Sequence, residues 1–153
     1  MQAKIYVDGS CFKNYSLSSS FVVVSKKKIQ YMHICSTQQK LQQHYSSIFS
    51  EAYAILLALN YIINNISHFK NGVTIYGDCM YIIEACNKTN NVYKHKATFF
   101  HIYNLIDDIR KHISLFFVHI KAHQKEKNYN TVADNLAKFG LDVIRQQEYK
   151  SRR

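Results

Sequence analysis

The sequence predicts an α/β fold in which helices cover both faces of a mixed five-stranded sheet. Three observations support this prediction: short apolar runs typical of strands, longer segments with apolar residues at helical spacing, and the order of these segments. The order is three strands, a helix, a strand, two helices, a strand and a helix. A chain of 153 residues with 47% hydrophobic residues is sufficient for one packed core.

The N-terminal part of the chain predicts three strands. Asp8 is expected at the end of the first strand, and the serine-rich segment 16–20 is expected to be a turn. The second and third strands form a predicted hairpin around Ser25–Lys28. The polar segment 38–43 predicts a loop. The strands are assigned to residues 4–7, 21–24 and 29–35.

A long helix is predicted over residues 47–65, because its apolar side chains recur every three or four positions. Glu51 borders this apolar stripe. The final helix is expected to open at Thr131, after a loop over residues 122–130, with Asp134 at capping-box spacing. On the helix before it, Asp107 and Lys111 are expected to pair on the surface. The other elements are strands at 73–76 and 114–120 and helices at 80–86 and 97–112.

Four carboxylates lie in hydrophobic surroundings although the chain has only 10 acidic residues against 20 Lys and Arg. Buried acids are costly unless they are paired or bound to metal, and a cluster of them repels itself without cations. Convergence of the four therefore predicts a two-metal phosphodiester site, with oxygen ligands suited to Mg²⁺ or Mn²⁺. Each acid alone also fits a bland role, as a turn, helix-start or solvated residue. The four are Asp8, Glu51, Asp78 and Asp134.

The net charge of +10 and the isoelectric point near 9.4 favour a polyanionic partner. The N-terminus lacks a signal-peptide pattern, and we expect no membrane-spanning segment and no membrane partner. The four cysteines show no metal-binding spacing and are interpreted as small buried residues. These features predict a reducing, intracellular location, namely the cytoplasm.

Five segments of the chain resemble the type 1 ribonuclease H family. YVDGSC, with Asn14 six residues after Asp8, resembles the family's first strand and turn. SEAYAILLAL resembles its glutamate helix, and IYGDCMYII resembles the strand that ends in its third acid. HIKAHQ and NTVADNLAK resemble its histidine loop and last acid. The resemblance covers nearly the whole chain and implies one RNase H-like domain over residues 1–149, followed by a basic tail over 150–153.

The resemblance implies an endonuclease that cuts the RNA strand of RNA–DNA hybrids and leaves 5′-phosphate and 3′-hydroxyl ends. The four acids would hold two Mg²⁺ ions about 4 Å apart, with Mn²⁺ as a substitute. His123 would assist proton transfer or product release. Gly9, Ser10 and Asn14 would contact the substrate and sense the RNA 2′-hydroxyl. A monomer is expected.

Two alternatives stay open at this point. The same fold could belong to a DNA nuclease of the resolvase or integrase type, or to an inactive module that binds nucleic acid. The stretch between Asp78 and His123 is short for the basic handle of longer members, and Asn87–Lys96 is a candidate substitute. Met80 stands where some relatives have a polar contact to nucleic acid.

Overall fold

A five-stranded mixed sheet forms the centre of the molecule, in the order β3-β2-β1-β4-β5. The computed structural model describes residues 2–12, 16–38, 46–92, 95–121 and 129–152. A short 3-10 helix, Ile66–Phe69, follows the first α-helix. The strands and helices are β1 Ala3–Phe12, β2 Ser16–Ser25, β3 Lys28–Gln38, α1 Ser47–Asn64, β4 Val73–Gly77, α2 Met80–Cys86, α3 Lys96–Arg110, β5 Leu115–His119 and α4 Tyr129–Ser151.

The sheet combines an antiparallel meander with two parallel strands. β1 pairs antiparallel with β2 and parallel with β4, while β2 and β3 form the predicted hairpin. β4 and β5 are parallel, which requires the crossover through α2 and α3. The predicted fold class and element order are therefore confirmed.

Successive side chains of β1 and β2 point to opposite faces of the sheet and are apolar on both, which explains why helices cover both faces. Ile5 and Val7 pack into the core formed with α1, α2 and α3, whereas Tyr6 faces the smaller cluster under α4. On β2, Phe21 and Val22 divide between the two faces in the same way. α1 buries a stripe of small and branched side chains against the sheet. Its fully buried hydrophobic residues are Ala52, Ala54, Ile55, Ala58, Leu59 and Ile62.

Three local predictions are wrong. Ser16–Ser25 is a strand, not a serine turn followed by a shorter strand, because the serines are buried between β1, β3 and the helices. Asp8 lies inside β1, which continues to Phe12 along β2. α4 begins at Tyr129, so Asp134 is in the second turn of the helix and not at a capping-box position.

The predicted surface pair on α3 also differs. Lys111 Nζ contacts Asp108 Oδ1 at 3.2 Å, one residue later than the predicted partner, Asp107. Both side chains of the observed pair are exposed, so the exchange has little energetic consequence.

α1 is long and apolar enough to cross a bilayer by length and composition alone, with a mean hydropathy of 1.3 over 18 residues. It is the one such helix among the described residues. Its apolar side instead packs on the sheet, as expected for a core helix. The expected domain limit at residue 149 falls within α4, because the helix continues through Lys150 to Ser151.

Candidate metal centre

The two central parallel strands bring Asp8 and Asp78 together. The last paired residues of β1 and β4 are Tyr6 and Tyr76, and each aspartate follows two residues later. The two carboxylates therefore lie at the same level, just past the point where β1 and β4 stop pairing, although β1 itself continues beside β2. His119, at the end of β5, contacts the backbone oxygen of Asp78 through Nε2 at 3.1 Å and fixes that turn.

Glu51 reaches the same level because α1 lies unusually close to β1. A Cβ on Gly9 would overlap the backbone of Ser50 and Glu51, so only glycine allows this approach. Ser19, the β2 partner of Gly9, donates a hydrogen bond from Oγ to the Ser50 carbonyl at 2.6 Å. This contact fixes the helix one residue before the glutamate.

Asp134 is positioned from the other face of the sheet. Ser20, the β2 partner of Asp8, donates from Oγ to the Ala133 carbonyl at 2.5 Å. Asp134 accepts from Lys138 Nζ at 2.8 Å, and its side chain is 27% exposed. Adjacent serines of β2 therefore hold the two acid-bearing helices, one on each face of the sheet.

Carboxylate oxygens of Asp8, Glu51 and Asp78 all lie within 4.8 Å of one another. Asp8 is 4% exposed, and the other two are partly buried. Asp134 lies beside this trio through a side-chain hydrogen bond with Asp8. The structure therefore brings together the four predicted acids, three of them in one compact group.

The electrostatics of the group disfavour full ionisation. Burial, the charge of Asp78 and the hydrogen bond with Asp134 raise the pKa of Asp8 to about 8. Burial raises the pKa of Glu51 to about 9, with further contributions from the charges of Asp78 and Asp8. A divalent cation would remove this repulsion, and a donor set made only of carboxylate oxygens fits a hard cation such as Mg²⁺.

Four contributing residues were not predicted to act at the centre. Ser19 and Ser20 were interpreted as turn residues, and His119 as a structural histidine. The Cys79 thiol hydrogen-bonds with Glu51, and its pKa is raised by burial. All four cysteines are free; Cys86 is buried as predicted, Cys79 is partly buried against the core, and Cys11 and Cys35 are only partly buried. Residues 16–25 show no alternation of apolar and polar side chains, so the sequence carried no signal for the register that pairs Ser20 with Asp8 and Ser19 with Gly9.

Other predicted site residues are described only in part. His123 and Asn14 lie outside the described residues, as do two positions of the Asn87–Lys96 segment. Ser10 is partly buried on β1, two residues beyond Asp8, and pairs with Ser18.

The fold and the acid group define an α/β enzyme with a carboxylate metal centre at its two central parallel strands. The RNase H family model matches residues 1–142. The chain belongs to the RNase H family and is a ribonuclease H, a hydrolase. No curated protein sequence matches it.

Solved structures show the same fold at low sequence identity. LC11-RNase H1, isolated from compost by a metagenomic approach, has a TM-score of 0.77 at 19% identity, over 94% of this chain and 97% of that one. The same protein in complex with an RNA/DNA hybrid has a TM-score of 0.73 at 18% identity, covering 94% and 99%. RNase H1 from the archaeon Halobacterium salinarum has a TM-score of 0.71 at 16% identity, covering 94% and 99%. The prototype foamy virus protease–reverse transcriptase matches 91% of this chain but only 20% of that chain, with a TM-score of 0.70 at 18% identity.

Proposed function

We propose that this ribonuclease H cuts the RNA strand of RNA–DNA hybrids and leaves 5′-phosphate and 3′-hydroxyl ends. One observation carries the proposal: oxygens of Asp8, Glu51 and Asp78 converge within 4.8 Å on the fold of this family. The hybrid bound to LC11-RNase H1 is further support, since that protein shares the fold. The net charge of +10 favours a nucleic acid substrate.

Two Mg²⁺ ions, with Mn²⁺ as a substitute, are the proposed cofactors, held by Asp8, Glu51, Asp78 and Asp134. When bound, the ions supply Lewis acidity for the attacking water and for the leaving 3′ oxygen. The protein positions the four acids, which come from two strands and two helices and meet only in the folded chain. Cys79 and Asp134 add hydrogen bonds that orient Glu51 and Asp8.

His123 is proposed to move a proton near the scissile phosphate, and Gly9, Ser10 and Asn14 to contact the RNA strand. Gly9 has a second role that the structure explains, because it lets α1 approach β1. We further propose that the protein acts as a monomer in the cytoplasm.

The test is cleavage of an end-labelled RNA–DNA hybrid with Mg²⁺, compared with RNA–RNA, DNA–DNA and single-stranded RNA. We expect cutting of the RNA strand of the hybrid alone, with products that a polymerase extends from their 3′ ends. Asp78→Asn should lose activity, whereas Asp107→Asn, an exposed acid on α3, should retain it.

Cutting of the DNA duplex in preference to the hybrid would replace the proposal by the resolvase-type alternative. Absence of cleavage in both Mg²⁺ and Mn²⁺, with the hybrid still bound, would favour the inactive binding module.

A further inference from the structure

A recess of about 240 Å³ lies at the end of the sheet away from the acid centre. Ala3, at the start of β1, is part of its wall, five residues before Asp8 on the same strand. An extended strand rises about 3.3 Å per residue, so the recess and the acid centre are roughly 16 Å apart along β1. The other lining side chains that matter here are Gln30, Tyr61, His68, Phe69 and Asn71.

The wall of the recess combines a fixed aromatic ring with polar groups. Tyr61 stacks on Tyr31 with ring centroids 4.5 Å apart and planes 9° from parallel, and it meets Phe69 edge-on at 6.1 Å. His68 and Asn71 add imidazole and amide groups at exposed positions, whereas the Gln30 amide donates to the carbonyls of Ser25 and Lys28. A flat ring with hydrogen-bonding edges is the ligand that such a wall suits, and a nucleobase has both properties.

Basic residues adjoin the lining residues of the recess at two places in the chain. Lys26, Lys27 and Lys28 form the exposed hairpin tip between two lining residues, Ser25 and Gln30. Lys70, which follows the lining residue Phe69 and precedes Asn71, lines a shallow groove together with Arg110, Lys111 and His112. Lys111 pairs with Asp108, and Arg110 donates to the Leu115 carbonyl, so the turn lysines and Lys70 carry most of the available charge.

The backbone of the hairpin tip favours other residues than lysine. Lys26 and Lys27 have φ angles of 52° and 60°, the left-handed region that both central positions of a type I′ turn require. Asn-Gly is the usual pair there, and each L-residue with a Cβ costs roughly 1 kcal/mol. Tyr129 Oη fixes the turn by donating to the Lys27 carbonyl at 2.9 Å. Backbone geometry therefore does not explain why lysines occupy these two positions. A role for their positive charges does.

We propose that this end of the sheet is a second nucleic-acid site, which binds single-stranded nucleic acid with one base in the recess and the phosphates on the lysines. A duplex would have to unstack and unpair a base to insert it, at a cost of a few kcal/mol, so an unpaired strand is the favoured partner. The site is independent of the acid centre and needs no metal.

The first test replaces the turn by its preferred sequence, in the double variant Lys26→Asn/Lys27→Gly. Binding of a fluorescein-labelled oligo(dT) of about 12 nucleotides is measured by anisotropy in EDTA, where cleavage does not interfere. We expect affinity to fall about five- to tenfold and the slope of log affinity against log salt to shrink by about 1.4, since each phosphate contact contributes about 0.7 for single strands. The melting temperature should stay the same or rise, because the new turn is less strained.

Lys150→Asn/Arg152→Gln, which removes the same charge from exposed positions near the end of α4, is the matched control. The affinity of this control variant for oligo(dT) should fall less than twofold. An equal loss in the two double variants, or no loss in the turn variant, would overturn the proposal. Polyglutamate can be added as a competitor of the oligonucleotide. If the turn variant weakens polyglutamate binding as much as it weakens oligonucleotide binding, the lysines form a general anion-binding surface, and the proposal is overturned.

The second test addresses the base. Wild-type protein should bind oligo(dT) at least fivefold more tightly than an abasic strand of equal length, because stacking contributes about 1–3 kcal/mol per base. His68→Ala/Asn71→Ala should reduce that preference while leaving the affinity for the abasic strand unchanged. If this variant still prefers oligo(dT) over the abasic strand to the same extent, the recess does not bind a base.

Discussion

Replacing Asp78 by Asn should stabilise the metal-free protein while abolishing its activity. Asp78 is the largest charge contribution to the raised pKa values of both Asp8 and Glu51. The amide has nearly the same shape and can still accept the hydrogen bond of the Glu51 carboxyl, so the substitution removes charge and little else. The fold should therefore lose a source of repulsion and keep its packing.

The magnitude follows from the Asp8 carboxyl. Its pKa is about 8 in the fold against an ordinary value of 3.8. At pH 7 this group binds a proton in the folded chain and not in the unfolded one, which destabilises the fold by at most about 4 kcal/mol. Burial causes the larger part of the shift, so removal of the Asp78 charge should recover about 1–2 kcal/mol. For a chain of this length that is roughly 2–8 °C in melting temperature.

The sign of the pH dependence is fixed by the direction of the shifts. Because the folded pKa values of Asp8 and Glu51 are raised, the contribution of these two carboxyls to stability is greatest below about pH 4 and is lost as the pH rises from there through 8 to 9. The advantage of Asp78→Asn over wild type should therefore be larger at pH 8.5 than at pH 5.

The assay is thermal unfolding followed by circular dichroism in EDTA at both pH values, then with Mg²⁺. Asp107→Asn controls for the loss of one negative charge from a basic protein. Mg²⁺ should raise the melting temperature of wild type and raise that of Asp78→Asn much less, since binding to the folded state stabilises it. A lower melting temperature for Asp78→Asn in EDTA than for Asp107→Asn would refute the electrostatic argument.

Three further substitutions test the positioning contacts and the loop histidine. Ser20→Ala should reduce stability by about 1–2 kcal/mol and turnover several-fold, because the buried Ala133 carbonyl loses the hydrogen bond from the Ser20 hydroxyl. Ser16→Ala is the control, since the Ser16 hydroxyl has no partner among the described residues, and it should be neutral in both melting and cleavage assays. Gly9→Ala should cost about 1–3 kcal/mol and reduce turnover at least tenfold by displacing α1. Gly77→Ala should cost less in the same two assays, because its Cβ would lie 3.3 Å from side-chain atoms of Ile83 and Val7 and would not overlap backbone. His123→Ala should slow hybrid cleavage without abolishing it, and complete loss would show a larger role for this residue than the proposed proton transfer.

Much of the architecture could be predicted because each element carries its own local pattern. The bounds of α2 were predicted correctly, and those of α1 were predicted to within one residue from the spacing of its apolar side chains. The serines of β2 were misread because serine favours turns by local propensity, whereas here burial between two helices and two strands decides the conformation. Tertiary contacts of this kind are not encoded in the neighbouring residues.

The same limit applies to the acid centre. The four acids could be found because carboxylates in apolar segments are rare in a basic chain. Their exact supports could not, since Ser19, Ser20 and His119 act on backbone atoms of residues 31, 113 and 41 positions away along the chain. Cys79 escaped notice because a partly buried thiol has no distinctive spacing.

The supports of the centre share one property that its chemistry requires. Ser19, Ser20 and His119 hold backbone carbonyls, and Cys79 offers Glu51 an uncharged donor. These contacts fix the acids in space without placing a Lys or Arg beside them, so a divalent cation can bind by displacing the protons that Asp8 and Glu51 hold without metal. The ion pair of Lys138 with Asp134 lies at the exposed side, where water screens it and a bound ion can displace it. Within the described residues, Asp8, Glu51 and Asp78 form no ion pair with Lys or Arg, and Asp134 is the acid of the centre that pairs with a lysine.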